Sequence, residues 1–310
     1  MKRSYKNIVL VLVVFVILIT GIVALVINLK SRENKHYTVV TSNFASYDFA
    51  RAVTGDAAEV KMLLKPGAEA HDFEPTPEDI IDIKNADLFV YIGGESEEWI
   101  EKILESNNIS PNKTLELMDE VELIEEEDSY STEEAEYDEH IWTSPKNAIM
   151  IVQRITDKLA EINPQKVDEY TNNANKYVER LSKIDEKFQE IVSNASKNEL
   201  IFGDRFPFLY FVREYGLKYT AAFPGCSEQT EADAATIARL IDRAKATNTK
   251  VILKIELTSD KIAKTIAETV GATVMEFSAA HNVSKADFEK GVTYADLMEQ
   301  NTKVLEEALR

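Results

Sequence analysis

Two rhythms of apolar residues alternate along this chain from about residue 37 onward. Short apolar runs rich in β-branched and aromatic residues read as strands at Tyr37–Thr41, Val60–Leu64 and Asp87–Ile92. Between and after them, Phe44–Val53, Thr76–Asn85 and Trp99–Asn107 place apolar residues at helical spacing. The alternation resumes in the second half. Strands are predicted at Glu199–Phe202, Lys218–Phe223, Lys250–Glu256 and Ala272–Phe277. Helices are predicted at Phe206–Tyr215, Glu231–Ala246 and Asp260–Val270, with a helical C-terminus from Thr293. Such β-α alternation predicts an α/β fold with parallel sheets and helices on their faces.

The middle of the chain is helical only. Ser144–Pro145 pairs an N-cap with a proline at the first helical position, and Ile149, Val152, Ile155, Leu159 and Ile162 follow on one face. Asn163–Pro164 opens a second helix with apolar positions Val167, Tyr170, Ala174, Tyr177, Leu181, Ile184, Phe188 and Ile191. That stripe runs through about 28 residues, or roughly 40 Å. With β-α segments on both sides, it reads as a rigid spine between two lobes rather than a coiled-coil partner. The predicted organisation is an N-terminal lobe at 37–162, a linking helix at 163–198 and a C-terminal lobe at 199–310.

Residues 1–36 differ from the rest. Ile8–Leu29 is 22 residues without a charge, enough at about 1.5 Å per residue to span roughly 33 Å of bilayer. It reads as an uncleaved membrane anchor, with a long cleaved signal as the alternative, followed by the polar linker Ser31–His36. Lys2, Arg3 and Lys6 precede it and Lys30, Arg32 and Lys35 follow, so charge does not set its orientation.

The chain of 310 residues carries a net charge of -19. This argues against a nucleic-acid partner, whose phosphates need a basic face, and suits a cationic ligand. One cysteine, Cys226, excludes an intramolecular disulfide. Asp119–Glu139 holds twelve Asp or Glu among 21 residues and no Lys or Arg. It should repel itself and stay mobile, either as a solvated loop or as a weak cation collector.

Four histidines are present. His36 lies in the linker; His71, His140 and His281 lie about 70 and then about 140 positions apart. His71 sits in Lys65–Thr76, KPGAEAHDFEPT, where Pro66 and Gly67 break the chain and Thr76–Pro77 opens a helix. Ligands of open parallel sheets bind beyond the carboxyl ends of strands. His71, His140, Asp204 and His281 are all expected just after strands or at helix starts. Imidazoles with nearby carboxylates suit zinc and related ions. No H-E-x-x-H motif is present, so a zinc hydrolase is not indicated.

KPGAEAHDFEPTPEDI, DEHIWTSPKNA, DRFPFLYFVREYGL, AAFPGCSEQTEA and HNVSKADFEKGVTYADLMEQN occur in that order. Together they make residues 37–310 resemble the zinc/manganese branch (cluster A-I) of ABC-transporter solute-binding proteins. The resemblance implies two α/β lobes joined by one long helix, with a metal held between them. It also implies delivery of zinc, or alternatively manganese or iron, to a membrane permease by a non-enzymatic monomer. A surface adhesin is a further use of the same fold. His71 matches the first family ligand, in G-x-E-x-H-x-F/Y-E-P-x-P. His140 matches the second, in D-x-H-x-W. The third position reads GDRFPF and has no histidine, which makes Asp204 its candidate, with Arg205 beside it as a possible pairing partner. The fourth is expected in EFSAAHN, which makes His281 its candidate. Cys226 and Glu256 are substitutes. Three imidazoles with one carboxylate would favour zinc over manganese. The lipid-anchor cysteine of the family is missing, which leaves Ile8–Leu29 as the tether on the extracytoplasmic face.

Overall fold

The computed structural model describes residues 37–69, 73–126, 136–225 and 231–310. Ile8–Leu29, His71, Cys226 and the centre of the acidic block therefore lie outside the described residues. Two four-stranded sheets, one in each predicted half, organise the chain, and Thr38–Arg310 packs as one compact unit. The first holds β1 (Tyr37–Thr41), β2 (Ala58–Met62), β3 (Leu88–Tyr91) and β4 (Thr114–Glu116) in the order β2-β1-β3-β4. The second holds β5 (Glu199–Phe206), β6 (Lys218–Pro224), β7 (Val251–Lys254) and β8 (Thr273–Glu276) in the order β6-β5-β7-β8. The β1–β3, β3–β4, β5–β6, β5–β7 and β7–β8 pairings are all parallel. In each sheet the second strand in chain order turns one way from the first and the third turns the other. This creates a switch point beside β1 and another beside β5, where loops diverge and leave a crevice.

The connecting helices begin where their caps predict. In the first half, α1 spans Phe44–Thr54, α2 Pro77–Asn85 and α3 Glu98–Ser106. Thr76 and Asp79 form a reciprocal capping box at the start of α2. Ser144 caps α4 (Pro145–Ile162) through the Asn147 amide. The long helix α5 runs Val167–Asn194, 28 residues. Its buried face carries Tyr170, Ala174, Leu181, Ile184, Phe188 and Ile191, as the stripe predicts. It packs against α1 and α4 from the first half. The second half contributes α6 (Leu209–Tyr215), α7 (Ala234–Ala246), α8 (Lys261–Val270), α9 (Lys285–Glu289) and α10 (Tyr294–Ala308). The spine also packs against α10 and α6.

The aromatic run after β5 forms the core of the second half. Phe202 and Phe208 lie 5.2 Å apart between ring centroids, Phe208 and Phe277 5.0 Å, and Phe211 and Phe277 5.3 Å. Phe188 of α5 joins this cluster at 4.9 Å from Phe211, which roots the spine in it. Each such fully buried phenyl group stabilises the fold by about 1.5–3 kcal/mol.

Two expectations need correction. Asp204 does not follow a strand; it lies inside β5, whose eight residues are all buried. Gly-Asp-Arg reads as a turn in sequence, but the strand continues because a register shift between Phe202 and Arg205 admits the polar residues. The acidic block is also less uniform than its charge suggests. Met118–Glu120 is a 3-10 turn, and the Ile124 amide donates to the Tyr210 hydroxyl. Glu125 bridges Tyr137, and Asp138 and Glu139 are buried. Among the described residues no helix is long and apolar enough to cross a membrane.

Candidate metal centre

His140 stands in a loop shaped by its own neighbour. Asp138 Oδ1 accepts the His140 backbone N–H at 2.8 Å and lies 3.2 Å from its Nδ1. A carboxylate at Nδ1 holds the proton there and leaves Nε2 as the electron-pair donor, as in metal-ligating histidines. The ring is fully buried. Burial alone would depress its pKa, but the charge and hydrogen bond of Asp138, with Glu139 behind them, outweigh that and raise it.

His281 arrives from the loop after β8. Its ring meets that of His140 edge to face, with centroids 4.6 Å apart and planes at 81°. Two imidazoles this close can share one ion, given Zn–N bonds of about 2.0–2.1 Å. Trp142 flanks both, 5.6 Å from His140 and 5.2 Å from His281. Glu256, just beyond β7, holds the His281 loop. Its two oxygens accept the Ala279 amide at 2.7 Å and the His281 amide at 2.9 Å. Burial pushes its carboxyl up to about 6 even so. Glu256 thus serves first as a loop holder, with Oε1 3.8 Å from His281 Nδ1.

Further carboxylates stand behind the pair. Glu139 accepts the Ser96 hydroxyl at 2.8 Å and amide at 3.2 Å, and burial raises its pKa. Glu97 accepts the Ile92 and Gly93 amides at 2.7 and 3.0 Å, and desolvation pushes it up to about 7. Sequence reasoning missed both, because nothing in their local spacing distinguishes them from surface acids.

Small cavities mark the two switch points. One, of about 30 Å³, is lined by Ser42 and Asn43 after β1, Ile92 after β3, Glu97, Glu139 and His281. The other, of about 20 Å³, is lined by Arg205 of β5, Ile255 and Glu256 after β7, Glu69 and His281. His281 lines both. Volumes of this size admit a water or a single ion, whereas organic solutes need about 300 Å³ or more. A larger groove of about 310 Å³ runs past Asp138, Tyr219 and Gly225, but neither histidine lines it.

The structure brings His140 and His281 together and takes Asp204 elsewhere. Asp204 Oδ1 accepts the Arg205 amide at 2.8 Å, and Oδ2 accepts the Ile255 amide at 3.1 Å and the Thr258 hydroxyl. It ties the turn after β7 to β5. Arg205 pairs its guanidinium with Glu69 at 3.1 Å rather than with Asp204. The residues bracketing His71 reach the site: Glu69 lines the smaller cavity and Phe73 the larger. Gly225, which precedes Cys226, packs so closely that an added Cβ would lie 3.3 Å from His140 Cε1. Among the described residues no three His, Cys, Asp or Glu side chains converge to hold a metal; their contribution is the imidazole pair.

Two open sheets whose switch points hold ion-sized cavities against His281, which His140 meets edge to face, define a binding protein for a single ion. Over residues 39–308 the sequence matches the family described as zinc-uptake complex component A, periplasmic, and the chain belongs to that family. It is 33% identical over 279 residues to the high-affinity zinc uptake system protein ZnuA of Bacillus subtilis, covering 87% of each chain. It is 31% identical to the zinc-binding lipoprotein AdcA of Streptococcus pneumoniae over 90% of this chain, and spans 57% of that protein's length. The crystal structure of the Zn(II)-bound ZnuA-like domain of that AdcA superposes with a TM-score of 0.76 at 29% identity, covering 89% of this chain and 99% of the domain. The laminin-binding protein of Streptococcus agalactiae, a bifunctional protein with adhesin and metal-transporting activity, gives 0.75 at 26% identity over 88% of this chain and 100% of that one.

Proposed function

We propose that this chain captures zinc on the extracytoplasmic face of the membrane and passes it to an ABC permease. The buried His140–His281 contact carries the reading, because two imidazoles from opposite halves meet edge to face and His281 also borders cavities that fit an ion and little else. His71 supplies a third nitrogen, on the strength of its bracketing residues Glu69 and Phe73, which line the two cavities His281 shares. The remaining donor, expected at Asp204 as the third family position, is better sought at Cys226, whose neighbour Gly225 abuts His140. Nitrogen and sulfur donors favour zinc over manganese or iron. The relatives named for zinc binding support the same metal.

The protein works as a monomer, by binding and release without turnover. Ile8–Leu29 tethers it to the membrane, with secretion after signal cleavage as the alternative. The long helix resists wide hinge motion, so release proceeds through movement of the ligand-bearing loops. Elemental analysis and calorimetric zinc titration of the purified protein test this. One equivalent of zinc is expected, with affinity falling more than about a hundredfold in His140→Ala or His71→Ala, beyond the 10–100-fold typical of outer-shell changes. Unchanged affinity in the double variant refutes the site.

A further inference from the structure

Arg205 brings a fixed positive charge to a space proposed for a cation. It stands in GDRFPF, the stretch where the sequence leads one to expect a metal donor, and it is only 7% exposed. With Glu256 and His281 it lines the cavity of about 20 Å³. The nearby carboxylates are engaged elsewhere. Asp204 accepts the Ile255 amide and the Thr258 hydroxyl, and Glu256 accepts the Ala279 and His281 amides. The guanidinium meets Glu69 at 3.1 Å, and the two side chains are unequally covered: 9% of Arg205 is exposed against 40% of Glu69.

A guanidinium has five N–H donors and no electron pair to give, so it cannot ligate a metal. It also keeps its charge at any pH at which a protein works. Apolar residues of similar volume can often replace a buried ion pair without loss of stability, so packing alone does not call for Arg205 here. What the side chain does supply is a cation on the wall of a space that admits one water or one ion.

We propose that Arg205 limits how tightly zinc is held and, with Glu69, provides the means of its release: the guanidinium repels an ion bound at His281, and Glu69 offsets part of that repulsion. The inference rests on the proposed binding of zinc at His140 and His281. Repulsion of a divalent ion is twice that of a monovalent one at the same distance, and burial leaves it poorly screened by salt. Arg205 therefore acts without touching the ion. Glu69 is the adjustable half of the pair, because its carboxylate is within reach of solvent and of a docking partner. Drawing it away leaves the guanidinium uncompensated beside zinc and drives the ion out.

The test measures zinc affinity by competition with a chelator, and release by chelator chase, on the full chain. Arg205→Met, which keeps an unbranched stem and loses the charge, should bind zinc about tenfold tighter or more and release it correspondingly more slowly. Arg205→Lys keeps the charge and should stay within about threefold of the parent. Glu69→Gln should weaken binding about threefold or more, a modest effect because the carboxylate is partly exposed. Adding Arg205→Met to Glu69→Gln should restore tight binding. Weakened or unchanged affinity in Arg205→Met would make the guanidinium a structural group and overturn the proposal. Unchanged or tighter binding in Glu69→Gln would overturn it too. So would an Arg205→Lys protein as tight as Arg205→Met, since shape rather than charge would then be responsible. Should Arg205→Met fail to fold, Arg205→Gln, which retains a donor for Glu69, is read in the same way. Failure of the parent protein to bind one equivalent of zinc would instead refute the proposed function, before any variant is compared.

Discussion

Trp142 donates its indole N–H to the Ala279 carbonyl at 2.7 Å, so the residue flanking His140 is fastened to the loop that carries His281. Its own carbonyl accepts the Tyr294 hydroxyl at 2.6 Å. Tyr294 in turn gives its amide to Asp48, whose same oxygen takes the Tyr177 hydroxyl from the long helix. Helices α1, α5 and α10 thus converge on one buried carboxylate and reach the imidazole pair through Trp142. The pair is held by the body of the protein as well as by its own loops.

Trp142→Phe should separate these roles. It keeps most of the ring but leaves the Ala279 carbonyl without its donor, which costs about 1–3 kcal/mol. Urea denaturation should show that loss, and zinc titration should show affinity reduced by about tenfold, since the His281 loop is freed. Unaltered affinity would mean that the indole bond stabilises the fold without placing the histidine.

Two glycines offer a contrast between site and core. In Gly225→Ala the new methyl would lie 3.0 Å from the Phe206 carbonyl and 3.3 Å from His140 Cε1. Small shifts relieve it, so calorimetry should find zinc binding weakened several-fold while the apo melting temperature changes little. In Gly203→Ala the methyl would lie 2.5 Å from Ala263 Cα, where β5 touches α8 backbone. That clash should destabilise the fold by about 1–3 kcal/mol and leave zinc affinity near the parent value.

Asp204→Asn bears on the oxygen donor expected from the sequence. The carboxylate accepts from Arg205, Ile255 and Thr258. An amide of the same shape presents N–H where an acceptor is needed, and stability should fall by about 1–3 kcal/mol. Zinc stoichiometry should remain one per chain. Loss of the bound equivalent in a variant that still folds would return Asp204 to the ligand set.

Stability and metal affinity should respond to pH in opposite directions. Glu256 is pushed up to about 6 and Glu97 to about 7, from an ordinary value of 4.5. His140 lies above its ordinary 6.5. Each group binds its proton more readily in the folded chain than in the unfolded one. The carboxyls therefore contribute stability that is complete below 4.5 and lost as pH rises through about 6 and 7. His140 contributes stability complete below 6.5 and lost as pH rises past its raised value. Thermal melting of the metal-free protein should accordingly shift upward as pH falls from about 8 to about 6. Zinc needs neutral imidazole, so titrations over the same range should show affinity declining. The decline should begin above pH 6.5, because the His140 imidazole is raised from that value.

Periodicity and capping alone determined most of the architecture. The stripe from Tyr170 to Ile191 emerged as the buried face of α5, and Thr76 and Ser144 start their helices as read. These features are local: a residue's face and a cap's partner lie within a turn of each other in the chain. Motif resemblance likewise singled out His140 and His281. Only the tertiary structure decided that their rings meet, that Asp204 turns to the loop after β7, and that Glu256 and Asn282 fasten the His281 loop and the Lys65–Ala68 segment. Asn282 looks like any loop asparagine until the chain from residue 65 to residue 69 is laid beside it. The partners of such residues lie scores to hundreds of positions away, and local spacing carries no record of a contact that exists only once two sheets pack together.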